Sequence, residues 1–304
     1  MSRPRTITVL MGGCSNERAV SLNSGQAVSQ ALERAGFAVR PLDVTHDIGA
    51  LIESLSADRP DVVFNALHGR FGEDGAIQGL LDLMGLPYTH SGRLASAVAM
   101  DKPTAKLVFA DAGIPVASHV IADRASVLAG TAMDRPYVVK PLNEGSSVGV
   151  TIVTEATNDL PFTRDDWPFG DRVMVERFIP GRELTVAVMG DRALGVTEIT
   201  TARGFYDYDA KYIPGGSRHI IPAPVAPEVA KEAMRLSVIA HQALGCRGVS
   251  RADLRFDGES LFMLEVNTQP GMTSTSLVPE QAALAGLSFE ALVTWMVENA
   301  RCDP

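Results

Sequence analysis

The sequence predicts an α/β unit followed by α+β units, three in all, and three observations carry that reading. Near the start, apolar runs of strand length alternate with helix-period segments, the βαβ grammar of a parallel sheet. Beyond residue 93, short strand-like runs cluster between Pro and Gly turns, as in α+β units. The chain has 304 residues, enough for two or three domains of ~100–150 residues each.

The elements follow in order. Ile7–Met11 is a buried strand, GGCSNER a glycine turn, and Val20–Ala35 a helix that stops at Gly36. Asp61–Leu67 is a second buried strand, followed by HGRFGEDG and the helix-like run Ile77–Met84. This parallel-sheet, Rossmann-like unit is taken to span residues 1–92. Residues 93–113 read as helical with an early interruption at Pro103, and strand-like pieces follow at 116–121, 136–140, 148–153 and 173–178. They define a central unit, 93–182, ending at the turn Pro180-Gly181. The third unit, 183–304, opens with LTVAVMG and ALGVTEIT, joined by the turn Gly190-Asp191-Arg192. The stretch GFYDYDAKYIPGGSRHIIPAP, rich in Gly, Tyr and Pro, is a long loop of the kind that is usually functional or disordered. Residues 227–244 form an amphipathic helix, with Val229, Ala233, Leu236, Ala240 and Leu244 at helical spacing.

Composition narrows the function. Apolar content of 46% and charge of 21% fit a globular protein, and a net charge of −9 argues against nucleic acid or an anionic membrane as partner. Three cysteines without CxxC or zinc spacing suit a reducing cytoplasm. The apolar run Ile7–Met11 is shorter than the ~7–15 residues of a secretory h-region. No segment approaches the ~20 apolar residues of a membrane span.

Three segments carry chemistry. In KPLNEGSSVGV (140–150), a lysine at a strand end precedes a donor-rich Gly/Ser loop. The loop could cradle phosphate, or be a plain turn between strands. It is not a P-loop, where the lysine closes the loop and opens a helix. The second segment is the strand pair GVSRADLRF (248–256) and LFMLEVN (261–267). With period two, Arg251, Asp253 and Arg255 share a face, as do Glu265 and Asn267, with Leu254, Phe256, Phe262, Leu264 and Val266 on the other. Asp253, Glu265 and Asn267 then offer hard oxygen ligands suited to Mg2+, provided the connecting loop has an odd number of residues. A solvated sheet face is the alternative. The third segment, NTQPGMTSTSLVP (267–279), puts Gly271 and several hydroxyls beside those ligands, where backbone N–H groups could stabilise an oxyanion.

Taken together, these residues resemble the D-alanine–D-alanine ligases of the ATP-grasp superfamily, almost end to end. The landmarks are GGCSNERAVSLNSG (12–25), ALHGRFGEDGAIQGLLDLMGLPYTHSG (66–92), MDKPTAK (100–106), KPLNEGSSVGV, VERFIPGRELTVAV (175–188), FYDYDAKY (205–212), GVSRADLRF and LEVNTQPGMTSTSLVP (264–279). The resemblance implies a three-domain ATP-grasp architecture, ATP between the central and C-terminal domains, two Mg2+ with Mn2+ as a substitute, D-alanine as substrate, a homodimer, and a cytoplasmic role in peptidoglycan synthesis. It implies that Lys102, Lys140 and Lys211, aided by Ser146 and Ser147, hold the phosphates. Glu176, Arg177, Phe178 and Ile179 would meet the adenine and Glu183 the ribose, with Phe178 where a tryptophan is expected. Asp253, Glu265 and Asn267 would hold the metals. Glu17 would bind the ammonium of the first D-alanine beside His68, Arg251 and Gly271 would stabilise the oxyanion, and Ser276 and Leu277 would border the second D-alanine. Tyr212, on a lid at 204–219, would close the site toward Ser146, itself linked to Glu17. That tyrosine favours an amine acceptor over D-lactate, and Gln269 and Thr275 depart from the family pattern. Other readings are a ligase for another acceptor, a nucleotide-binding regulator, and a Rossmann dehydrogenase; GGCSNER lacks the G-x-G-x-x-G that the last requires.

Overall fold

The computed structural model describes residues 5–143, 145, 149–155, 167, 169–201, 216–273 and 275–303. Three sheets organise them. The first is parallel, in the order β2-β1-β3, from β1 (Thr6–Gly12), β2 (Ala38–Val44) and β3 (Val62–Asn65). Helices α1 (Arg18–Arg34) and α2 (Ile48–Ala57) form its crossovers, and α3 (Ala76–Leu83) follows β3. The predicted β1, α1, β3 and α3 are present. β2 and α2 were not foreseen: AVRPLDV is half exposed and carries Pro41, which only an edge strand tolerates.

The second sheet is antiparallel, ordered β4-β7-β5-β6, from β4 (His119–Asp123), β5 (Tyr137–Lys140), β6 (Thr151–Val153) and β7 (Arg172–Arg177). A short helix, α6 (Arg124–Leu128), joins β4 to β5. Its small core holds Val127, Tyr137, Val139, Val153, Phe169 and Val175.

The third sheet is antiparallel, ordered β10-β9-β8-β11-β12, from β8 (Arg182–Met189), β9 (Arg192–Thr200), β10 (Arg218–Ile220), β11 (Val249–Phe256) and β12 (Leu261–Asn267). Helices α4 (Arg93–Met100), α5 (Lys102–Asp111) and α7 (Pro227–Ala243) cover one face, where Ala99, Phe109, Leu236 and Ala240 pack on Leu184, Val186, Ala252 and Met263. The interruption near Pro103 is a helix restart. Asp101 accepts from the Thr104 N–H at 3.0 Å, and Pro103 occupies the first turn, where its missing N–H costs nothing. Helices α8 (Leu277–Leu284) and α9 (Phe289–Glu298) lie toward the first sheet, so that Val9, Leu32 and Phe64 share one core with Val249, Val278, Leu292 and Met296.

The β11–β12 hairpin corrects the register argument. The connecting loop is Asp257–Ser260, four residues, not an odd number. Phe256 pairs with Leu261 and Leu254 with Met263, yet Asp253 pairs with Glu265 and Arg251 with Asn267. A bulge at Leu264 supplies the missing step, as an extra residue on one strand does. It also redistributes the faces. Leu261 and Met263 join Leu254 in the core, while Phe262 stands opposite Arg255, so the expected apolar role of Phe262 and Leu264 is overturned.

Candidate active site

A cavity of roughly 440 Å³ opens between the loops that follow β1 and β3, the start of α5, and the outer face of the hairpin. Of the residues singled out in the sequence, Glu17, His68 and Lys102 line it from one side. Arg251, Glu265, Asn267, Gly271, Ser276 and Leu277 line it from the other. Only the fold unites these segments, from four distant stretches of the chain.

Glu17 stands at the N-cap position of α1 and is buried, although its side chain makes no capping bond. Its carboxylate lies against two glycines. A Cβ on Gly69 would come within 2.7 Å of Oε2, and one on Gly145 within 3.2 Å. Gly69 also has a φ of +67°, so close approach and backbone conformation both call for glycine. Ser15 Oγ donates to the His68 carbonyl at 2.7 Å, which ties the two loops. The His68 ring is engaged at both nitrogens, by Ser24 Oγ at 3.2 Å and Glu73 Oε1 at 3.1 Å. Glu73, inside HGRFGEDG, is a site residue that the sequence reading missed. Burial pushes its carboxyl above the ordinary range and the neighbouring Glu17 charge adds to this, against the pull of the His68 hydrogen bond. Nothing in its sequence context separates it from a solvated loop acid.

The opposite wall is the hairpin. Arg251 donates from Nε and Nη2 to the two Asp253 oxygens at 2.9 and 2.8 Å, and Thr185 Oγ1 donates to Oδ1 at 2.6 Å. Asp253 is therefore buried behind Arg251 and does not itself line the cavity. Glu265 is its cross-strand partner, and Asn267 accepts from the Gln269 N–H at 2.8 Å. Two carboxylates and an amide carbonyl are ligands of the kind a hard divalent cation takes, and they stand at adjacent register positions. Arg251 holds both Asp253 oxygens here, so binding there would require it to yield. Gln269 also secures the far wall, accepting from Asn65 Nδ2 at 2.7 Å and donating to the Leu67 carbonyl. Next to it, a Cβ on Gly271 would sit 3.1 Å from Ser276 Oγ. That hydroxyl is bonded to Thr273 N–H at 3.0 Å and Thr273 Oγ1 at 2.8 Å.

A second charged cluster lies behind α5. Glu176 on β7 is 2% exposed and pairs with Lys140 at 2.5 Å and with Lys106. Lys106 was not assigned a role from sequence, since inside MDKPTAK it reads as an ordinary helix lysine. It is fully buried and its ammonium reaches the Met263 carbonyl at 3.4 Å. Burial alone would raise the Glu176 carboxyl, but Lys140 and Lys106 together hold it below the ordinary range. Burial lowers the Lys106 ammonium in spite of Glu176. Close by, Arg255 donates to the Ile179 and Gly181 carbonyls at 3.1 and 3.0 Å, meets Glu183 at 3.4 Å, and lies 5.7 Å from the Phe178 ring centroid. Arg177 donates its N–H to the Ser118 carbonyl at 2.9 Å. Arg255 thus shapes the whole 177–183 turn, a function not read from the sequence. Ser146, Ser147, Lys211 and Tyr212, with most of the 204–219 lid, lie outside the described residues.

Comparison with known proteins gives a consistent result. The family model described as D-ala D-ala ligase C-terminus matches residues 108–298, and that described as D-ala D-ala ligase N-terminus matches residues 50–91. A D-alanine–D-alanine ligase of Rhodospirillum rubrum is 76% identical over 299 residues, covering 98% of this chain and 99% of the relative. That of Paramagnetospirillum magneticum is 61% identical over 306 residues, covering 98% and 99%. Among solved structures, the D-alanine–D-alanine ligase from Bacillus anthracis complexed with ATP is similar with a TM-score of 0.81 at 29% identity, covering 98% of this chain and 97% of that one. The VanG D-Ala:D-Ser ligase from Enterococcus faecalis is similar with a TM-score of 0.80 at 30% identity, covering 97% and 99%.

Proposed function

The chain belongs to the D-alanine–D-alanine ligase family, and on that premise we propose that its central cavity is where two D-alanines are joined. It is an ATP-dependent ligase that forms D-alanyl-D-alanine for the cell wall. One observation carries the assignment of the site: the buried acid Glu17 and the hairpin residues Arg251, Glu265 and Asn267 border one cavity. An amino acid is a zwitterion, and such a cavity meets both of its charges.

In this reading Glu17 takes the ammonium of the first D-alanine, with His68 and Glu73 fixing the loop around it. Lys102 and Lys140, backed by Lys106, hold the ATP phosphates. Glu176, kept ionised by its lysines, accepts from the adenine amino group. The Arg177, Phe178 and Ile179 turn frames the base, and Glu183 takes the ribose. Asp253, Glu265 and Asn267 would hold two Mg2+, or Mn2+ in their place. Mg2+ bound there supplies charge neutralisation between two approaching anions. The carboxylate of the first D-alanine attacks the γ-phosphorus, giving D-alanyl phosphate and ADP. The amine of the second, bordered by Ser276 and Leu277, attacks the acyl carbon. Arg251 and the Gly271 N–H stabilise the oxyanion that forms, and phosphate leaves. Ser146, Ser147, Lys211 and Tyr212 would complete the phosphate site and the lid that excludes water. A homodimer and a cytoplasmic location belong to the same proposal.

The test is ADP release, coupled to detection, with D-alanine as the sole amino acid, followed by D-serine and D-lactate as acceptors. ADP release matched by D-alanyl-D-alanine is expected. Turnover only when a different acceptor is added would sink the D-alanine assignment.

A further inference from the structure

His219 and Glu280 form an acid–imidazole pair at the cavity, separate from the hairpin. His219 stands on β10 opposite Ile199 of β9, and Ile199 packs with Leu277. The imidazole therefore lies beside the first turn of α8, whose Ser276 and Leu277 line the same cavity as His219 itself. Glu280 belongs to that same first turn, and its Oε2 lies 2.8 Å from His219 Nδ1. An ionised carboxylate only accepts, so in the neutral ring Nδ1 carries the proton and Nε2 the lone pair. Two imidazoles line this cavity among the described residues. His68 is hydrogen-bonded at both ring nitrogens, whereas Glu280 engages one nitrogen of His219.

The reaction requires a base at this place. An amino acid reaches the acceptor subsite as an ammonium, which has no lone pair with which to attack. We propose that His219, oriented by Glu280, takes the proton that frees the acceptor amine for attack. The role rests on the ligase reading given above. One proton passes from the acceptor ammonium to Nε2, leaving a neutral amine. The amine nitrogen forms the C–N bond, and the acyl C–O bond to phosphate breaks with its electron pair on the phosphate oxygen. A second amine proton goes to the departing phosphate. His219 is then a catalytic residue and Glu280 a positioning one.

Hydroxylamine separates this role from a structural one, because it is already neutral at neutral pH and attacks acyl phosphates without a base. The full chain, with ATP, Mg2+ and D-alanine, is assayed for two products: D-alanyl-D-alanine alone, and D-alanine hydroxamate when hydroxylamine is present. His219→Gln, which can still bond Glu280, is expected to slow dipeptide formation about 10²-fold while leaving hydroxamate formation near the parental rate. Glu280→Gln is expected to give a smaller loss, about tenfold, in the same product only. A parallel fall of both products in His219→Gln, or no fall in either, overturns the proposal. A parent protein that makes neither product from D-alanine overturns the ligase reading itself.

Discussion

Two charge clusters meet at β12, and they are built on one plan with the signs exchanged. Around Glu176, two lysines face one carboxylate, a formal surplus of one positive charge. At the hairpin, Arg251 faces Asp253 with Glu265 opposite, one negative charge more among these three described residues. The first is almost dry, with the Lys106 side chain wholly buried, while the second borders the cavity. They are electrically joined, since Lys106 reaches the Met263 carbonyl and Glu265 acts to raise its ammonium pKa. The difference teaches that, among the described residues, the two clusters lean to opposite signs. One suits a polyphosphate and the other a divalent cation, so ATP with its metal would complete both at once.

The largest effect expected is on stability. Glu176→Leu leaves Lys106 and Lys140 buried together without their shared carboxylate, and should cost about 3–5 kcal/mol in urea unfolding. A cost below about 1 kcal/mol would mean that the lysines tolerate one another and that no positive surplus is being held. Next comes Asp253→Asn, which keeps the shape of the hairpin but removes a charge from the proposed cation site. Turnover should fall on the order of 10³-fold, about 4 kcal/mol, with circular dichroism unchanged. Retained turnover would remove Asp253 from that site. Arg251→Met should lower kcat by an amount worth about 2.7–4 kcal/mol and move the KM for ATP far less, because in its proposed role its donors act on charge that develops only during reaction. A change confined to the KM for ATP would make Arg251 a nucleotide ligand instead.

The smallest effect sharpens the contrast between two buried carboxylates shifted in opposite directions. The Glu176 carboxyl sits below its ordinary value of 4.5, so its contribution is present above that pH and lost as pH falls through the lower folded value. The Glu73 carboxyl sits above 4.5, so its contribution is present below that pH and lost as pH rises through the folded value. Glu73→Gln should therefore gain on the parent as pH rises above about 4.5, while the deficit of Glu176→Gln should be steady there and shrink as pH falls below about 4.5. Urea midpoints between roughly pH 3 and 8 would show both, and parallel curves for the two variants would refute the two shifts.

Much of this molecule can be read from local pattern. The strand Thr6–Gly12, the helices Arg18–Arg34 and Pro227–Ala243, and the tight turn at Gly190 follow from apolar period and turn chemistry, which act over a few residues. β2 escaped because its alternation is weak and a proline interrupts it, a pattern that only the edge of a sheet accommodates. Glu73, Lys106, Arg255 and His219 escaped for another reason. Their chemistry lies in partners 5, 70, 76 and 61 positions away, namely His68, Glu176, Ile179 and Glu280. In sequence each is an ordinary polar residue.

By itself, the sequence determined the alternation of strands and helices, the motifs and their order, because backbone preference and hydrophobic period are properties of short segments. The tertiary structure alone decided which charges are buried together and on which face each hairpin side chain stands. A single bulge at Leu264 turns Glu265 toward Asp253, and a shared core brings Glu17 to the same cavity as Arg251. Register and burial depend on the whole packed chain, and so does the electrostatic environment they create.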